Sequence, residues 1–283
     1  MKRRTFLTQT TLLSGMIMIP FSKATPSDQS LVSVPNLLCL WDFSEKQPLL
    51  SKGKYAYRLQ EPTGPVPMVK GGILSNYSLD IREHEFLTIP RADCPGLNMH
   101  GKNAQVTVLA WVKRQPKSNH NAECEAIAGL WNETRKMRQY CLFLNIRLHQ
   151  SADQVCGHIS GVGGPTPGEK WCVDVSIGQT PVPFDAWTFV AMTYDGREIR
   201  SYCNGLFDAR PGRNPYPYAE GIFDGGETGS DFTVGAVHRL GAIGNDFVGQ
   251  LGGLAVFDRA LSAGEIQQIH QNHPLPNPVG NGG

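Results

Sequence analysis

Trp187-Thr-Phe-Val-Ala-Met-Thr-Tyr-Asp-Gly196, running on through Arg197-Glu-Ile-Arg-Ser-Tyr-Cys-Asn-Gly205, is the stretch that decides the fold. Val190 and Met192 alternate with Ala191 and Thr193, and Ile199, Ser201 and Cys203 alternate with Arg200, Tyr202 and Asn204, the period of two that half-buried strands require. Asp195-Gly196 supplies a tight turn between the two runs, and Asn204-Gly205 supplies a second. The segment therefore reads as a β-hairpin with a Trp at its head and Tyr-x-Asn-Gly at its foot.

Two further stretches extend the pattern. Leu37-Leu-Cys-Leu-Trp-Asp-Phe43 is an apolar run that ends in Trp-x-Phe, and Phe247-Val-Gly-Gln-Leu-Gly-Gly-Leu-Ala-Val-Phe-Asp-Arg-Ala-Leu-Ser262 is a long strand followed by a short helix containing Glu265 and Ile266. In this order the three motifs resemble the central hairpin, opening strand and closing strand of the laminin-G-like, concanavalin A-like jelly-roll family. The resemblance spans about residues 37 to 270. It implies an all-β, two-sheet antiparallel jelly-roll β-sandwich, with a concave sheet whose outer face serves as a carbohydrate groove. At one point the chain departs from the family, with Gly252-Gly253 where relatives commonly carry acidic residues. Any acid or metal role at that point is in doubt here.

Composition agrees with a large β-sandwich. The chain has 283 residues with 31 Gly and 20 Pro, many turns, and 9% aromatic residues for one core. Strands are expected near 37–43, 86–90, 105–113, 125–131, 140–149, 154–160, 171–177, 187–194, 198–203, 231–237 and 247–257, with no internal repeat. A formal net charge of +1 argues against broad electrostatic capture of nucleic acid or anionic membrane.

The basic cluster Lys2-Arg3-Arg4 has another reading. It precedes an uncharged apolar run from Leu12 to Phe21 and the small-x-small site Ser22-Lys23-Ala24, the tripartite design of an export signal over residues 1–24. Arg3-Arg4-x-Phe6-Leu7 resembles the twin-arginine variety; an ordinary secretory signal shares the same design. The apolar run is too short for a stable membrane span, so a mature chain beginning near Thr25 is expected in the periplasm or outside the cell, without membrane insertion. Residues 25–36 then read as a linker, 37–273 as the domain, and the Pro-rich 274–283 as a disordered tail. Seven cysteines, an odd number, leave at least one unpaired; Cys39 shares strand parity with Trp41 and Phe43, and Cys203 with Ile199, so both read as small core hydrophobes.

The strand expected to carry function is Tyr140-Cys-Leu-Phe-Leu-Asn-Ile-Arg-Leu-His149. Parity places Leu142, Leu144, Ile146 and Leu148 in the core and Phe143, Asn145, Arg147 and His149 on the opposite face. If that face lies on the concave sheet, it offers an amide and a guanidinium to sugar hydroxyls or acidic groups, beside an aromatic ring. It would equally suit a solvated convex face. Trp131 and Asn132, at the end of the preceding strand, are candidates for the rim of a groove, although Trp at a strand end is commonly core. The rigid loop Arg210-Pro-Gly-Arg-Asn-Pro-Tyr-Pro-Tyr218 would present Arg213, Tyr216 and Tyr218 to a ligand, or pack them as a lid. Asp224, Glu227 and Asp231 are oxygen donors of the kind Ca2+ prefers, without the periodic spacing of an EF-hand.

Enzyme signatures are missing. Retaining glycosidases hold two carboxylates about 5–5.5 Å apart, and the Glu-x-Asp-x-x-Glu pattern of hydrolytic relatives of this fold does not occur. Glu123 and Glu125 alternate, but at a strand start. No Gly-x-Ser-x-Gly, phosphate loop or His-Glu-x-x-His is present. The sequence thus points to an exported, non-catalytic binding module for a glycan. The alternatives are a polysaccharide lyase or hydrolase using Arg147 and His149, and a cell-envelope protein-interaction domain using the Tyr216–Tyr218 loop.

Overall fold

The computed structural model describes residues 31–276 apart from 119 and 122; the expected export signal, half of the expected linker and most of the expected tail lie outside the described residues. In chain order the strands are β1 (Leu37–Trp41), β2 (Met68–Lys70), β3 (Tyr77–Ile81), β4 (Leu87–Ile89), β5 (Val106–Arg114), β6 (Glu125–Asn132), β7 (Met137–Leu144), β8 (Gln154–Ile159) and β9 (Val175–Pro181). Then come β10 (Trp187–Tyr194), β11 (Glu198–Cys203), β12 (Leu206–Phe207), β13 (Tyr216–Pro217), β14 (Phe232–Val234), β15 (Val237–Arg239), β16 (Ala242–Gly244), β17 (Gly249–Phe257) and the helix α1 (Ala263–Asn272). One sheet runs β12-β11-β10-β5-β17-β3-β2, with β1 also on β17 and β13 on β11. The other runs β16-β15-β6-β7-β8-β9, with β14 bridging β4 and β6. The expected two-sheet antiparallel sandwich is the fold observed.

The hairpin forms as its pattern requires. β10 and β11 pair Val190 with Cys203 through Tyr194 with Ile199. Asp195 Oδ1 accepts hydrogen bonds from the Arg197 and Glu198 amides, and Gly196 takes φ +89°, a left-handed conformation that suits glycine. Val190, Met192 and Tyr194 point between the sheets, while Phe189 and Ala191 point outward. Cys39, Trp41, Phe43, Ile199 and Cys203 all lie in the inter-sheet core. Trp41 of the first sheet stacks on Phe232 of the second, with centroids 5.7 Å apart.

The two outer faces differ, and this difference positions the site. On the first sheet Leu109, Trp111, Phe189, Ala191, Tyr202, Ala255 and Phe257 are covered by Ile266 and Ile269 of α1 and by Leu31 ahead of β1. The packed unit therefore begins by Leu31 and not at residue 37. The helix is fixed there by a capping box, Ser262 accepting from the Glu265 amide while Glu265 accepts from the Ser262 amide, and by a two-pronged Arg259–Glu265 pair at 3.0 and 2.7 Å. Gly252-Gly253 belongs to this covered face as well. A Cβ at Gly252 would meet the Trp187 ring at 2.8 Å and one at Gly253 would meet Leu74 at 2.5 Å, so the two glycines make room for side chains that close the face.

Several boundaries differ from expectation. β2 and β3, short and irregular in pattern, were not foreseen; β9 begins at Val175, four residues later than expected; Gly235, with φ +85°, divides the expected 231–237 strand into β14 and β15. The most consequential difference is in β7, which ends at Leu144. Asn145, Arg147, His149 and Gln150 adopt φ of 54°, 58°, 50° and 59°. Left-handed residues break the alternation on which the face assignment depended. Leu142 and Leu144 enter the inter-sheet core as expected, but Ile146 and Leu148 fold against the opposite, outer face beside Phe143.

Candidate functional site

The outer face of the second sheet carries its own cluster, Ala126, Trp131, Cys141, Phe143, Cys156, Cys172, Val175, Ile177 and Val237, and α1 does not reach it. Strand pairing builds it: Cys141 sits opposite His158, and Phe143 opposite Cys156. Trp131, Phe143 and His158 form a triangle of edge-to-face rings with centroids 5.1 to 5.8 Å apart, the arrangement that ring quadrupoles favour. Over these rings opens a cavity of about 220 Å³, bounded also by Arg138, Arg239, Glu123, Glu133, Ile146, Leu148 and Trp171.

Each polar group there has a local origin. A register shift in the β6–β7 ladder between Leu130 and Trp131 pairs Trp131 with Arg138, a bulge that turns Arg138 toward the cavity and Gln139 toward the interior, where its amide donates to Asn98 Oδ1 and the Phe223 carbonyl. Glu133 Oε1 accepts from Trp131 Nε1 and Asn245 Nδ2, each at 3.3 Å. Arg239 Nη1 donates to Asn245 Oδ1 and pairs with Glu123 Oε1, both at 2.9 Å. Trp171, 41% exposed in the Gly- and Pro-rich loop before β9, stands at the mouth with the Arg239 guanidinium 6.0 Å from its ring. His158 is 2% exposed; burial, with Arg138 adding to it, pushes its imidazole pKa down to about 3, so the ring is neutral at physiological pH. Burial pushes the Cys172 thiol up to about 11, and raises that of Cys124, so neither adds negative charge.

The expected site residues meet different fates. Phe143 and Trp131 lie in the cavity wall, as part of its floor. Asn145 does not face a ligand: it is fully buried, its amide nitrogen donates to the His120 and Glu123 carbonyls at 2.8 and 3.2 Å, and its oxygen accepts from the Asp153 amide and Arg147 Nη1, both at 3.3 Å. It rivets two loops together. Arg147 and His149 are exposed on the loop after β7 and line none of this cavity; the His149 carbonyl accepts from Arg210 at 3.1 Å. Asn132 is buried, its oxygen accepting from the Arg135 amide. Tyr218 is not presented to solvent: it sits in the inter-sheet core, its hydroxyl accepting from the Gly161 amide at 2.7 Å. Tyr216 is half-buried with its hydroxyl 3.4 Å from Asp174, and Arg213 is half-buried in the same loop. Asp224 engages Asn98 and the Gly226 amide, and Asp231 engages the Arg91 amide and His238. With Glu227 they form no metal-ligating group, and none of three or more His, Cys, Asp or Glu occurs among the described residues.

Glu125 belongs to a separate buried cluster at the sandwich edge. Arg114 Nε and Nη2 donate to its two oxygens at 2.8 and 2.6 Å, Asp153 takes a third bond at 2.9 Å, and the guanidinium lies over Phe184 at 4.4 Å. Arg138, His158, Trp171 and Arg239 were not singled out from sequence. The available signals were His158 standing out of phase with Val155 and Ile159, and a tryptophan in a loop of Gly and Pro; the bulge that turns Arg138 left none.

A two-sheet jelly roll with one outer face closed by a helix and the other open over an aromatic cavity defines a lectin-like β-sandwich. The chain belongs to the laminin G-like family of the concanavalin A-like lectin/glucanases superfamily, whose model matches residues 90–267. No curated protein matches it in sequence. Among solved structures it is similar to domain 4 of AbnA, a GH43 extracellular arabinanase from Geobacillus stearothermophilus in complex with arabinotriose, at 16% identity and TM-score 0.58, over 83% of this chain and 98% of that domain. It is also similar to the botulinum neurotoxin serotype G binding domain and to the binding domain of Paraclostridial Mosquitocidal Protein 1, each at 12% identity and TM-score 0.55. The match covers 83% of this chain but 51% and 52% of those domains. These likenesses establish the shared fold.

Proposed function

We propose that this protein is an exported glycan-binding module that takes a sugar in the Trp171 cavity. The observation that carries the reading is an exposed tryptophan beside a cavity of about 220 Å³ on the sheet face that α1 leaves open. A sugar ring has an apolar face and a hydroxylated edge; Trp171 meets the first, while Arg239, Asn245 and the glutamates suit the second. The arabinotriose held by the arabinanase domain of the same fold supports the class of ligand.

Catalysis fits the cavity less well. A general base works best with a pKa near the operating pH, and an imidazole held near 3 is too weak a base. Both cavity glutamates are engaged by Arg239, Glu123 at 2.9 Å and Glu133 at 3.8 Å, and Glu133 also accepts from Trp131 and Asn245, so their oxygens are occupied by the protein's own donors. Glycan-array binding by the wild type and by Trp171→Ala tests the proposal: loss of binding in the variant, with no release of reducing ends or unsaturated products by the wild type, is expected, and product release would select the enzyme. Export is tested separately with Arg3→Lys and Arg4→Lys together, which should leave precursor in the cytoplasm if the twin-arginine route is used; unchanged export points to the general secretory route.

A further inference from the structure

We infer that the sugar accepted here is acidic, with its oxyanion, a carboxylate or sulfate, seated against Arg138 at the cavity floor; this rests on the glycan-binding reading. Arg138 is 4% exposed, yet Nε and Nη1 have no hydrogen-bond partner among the described residues. Its third nitrogen, Nη2, makes only a long ion pair with Glu133 at 3.8 Å, beyond hydrogen-bond reach. That carboxylate is shared: one oxygen accepts from Trp131 and Asn245, and the other lies 3.8 Å from Arg138 and Arg239 alike. Glu123 is likewise taken by Arg239 and by the Asn245 amide at 3.2 Å.

A guanidinium withdrawn from water with two of its three nitrogens lacking an acceptor is costly, and the long Glu133 pair and the ring of Trp131, with its centroid 5.8 Å away, offset only part of that cost. His158 adds to the argument. Both of its ring nitrogens are buried without a partner among the described residues, and as a neutral ring it offers one donor and one acceptor. These nitrogens are closed to solvent as they stand, so an oxyanion at the cavity floor would draw the Arg138 guanidinium and the His158 ring toward it, taking two donors from the first and one from the second. A neutral sugar would supply only hydroxyls, which accept more weakly from a cation.

The full-length mature chain can be titrated calorimetrically with oligosaccharides of galacturonate, glucuronate and mannuronate, their neutral methyl esters, and sulfated oligosaccharides, with tryptophan fluorescence reporting occupancy beside Trp171. The expected result is that at least one free acid binds roughly ten- to a hundred-fold more tightly than its ester, or that a sulfated chain shows the same advantage over its desulfated form; which of the two occurs identifies the oxyanion. In Arg138→Gln the advantage of the charged form over its neutral counterpart should collapse, and Arg138→Lys should restore part of it. The acid-to-ester comparison uses the wild type alone, so it stands even if a variant misfolds. Equal affinity for charged and neutral forms would overturn the acidic assignment and leave the glycan reading intact. Absence of binding across all probes would overturn both.

Discussion

Replacing His158 by Phe should change how stability depends on pH more than stability itself. The ring sits between Trp131 and Phe143 at 5.1 and 5.2 Å, and Phe fills nearly the same volume, so at pH 7 the change should stay within about 1.5 kcal/mol. The imidazole pKa falls from 6.5 to about 3 on folding. Above pH 6.5 neither state is protonated and His158 contributes no pH dependence. Below it the unfolded chain takes up the proton and the folded chain does not, so the wild type loses stability relative to the variant by about 1.4 kcal/mol per pH unit until the pH nears 3. At pH 4.5, two units below the unfolded value, the relative loss should reach ~2.7 kcal/mol. Urea unfolding of both proteins at pH 7.0, 6.0, 5.0 and 4.5 measures it. A wild-type-minus-variant difference that is flat with pH, or an imidazole that titrates near 6.5 by NMR in the folded protein, would refute the buried, neutral histidine and the cavity electrostatics built on it.

Three other outcomes follow from the same geometry. Glu125→Gln removes the charged partner of a fully buried guanidinium and should cost about 3 kcal/mol or more in urea unfolding; a change under about 1 kcal/mol would mean that Asp153 alone balances Arg114. Trp171→Ala should leave stability within about 0.5 kcal/mol, since that ring is 41% exposed, and a large loss of stability would make it a structural residue. Six of the seven cysteines are buried and all are unpaired, with burial pushing Cys39, Cys156 and Cys203 up to about 12. Native protein should therefore react slowly with a thiol reagent at pH 7 and release seven equivalents on unfolding; rapid native labelling, or fewer than seven after unfolding without reductant, would contradict this.

What the sequence disclosed, and what it hid, has a physical basis. Alternation is a reliable guide where residues stay extended, which is why the Trp187–Cys203 hairpin, the Leu37 strand and the facing of Cys39 and Cys203 were legible. It fails where one residue leaves the β region. A left-handed Asn145 buried its own amide and sent Ile146 and Leu148 to the opposite side, and a single register shift brought Arg138 to the cavity. Both events reassign a face through one backbone torsion or one extra residue, and neither alters the hydrophobic pattern. Tyr218 illustrates another limit: a tyrosine between turn residues reads the same whether its hydroxyl meets a ligand or, as here, the Gly161 amide.

The central claim is that the face left open by α1 is a sugar site built around Trp171 and Arg138. Its most direct test is chemical-shift mapping of the isotope-labelled chain during titration with the tightest oligosaccharide from the array. The account predicts saturable shifts of the Trp171 and Trp131 indole N–H signals and of the His158 and Arg138 side chains, with the α1-covered face unmoved. Shifts confined to the Arg210–Tyr218 loop or to the first sheet, with the Trp171 and Trp131 signals unchanged at saturation, would contradict it.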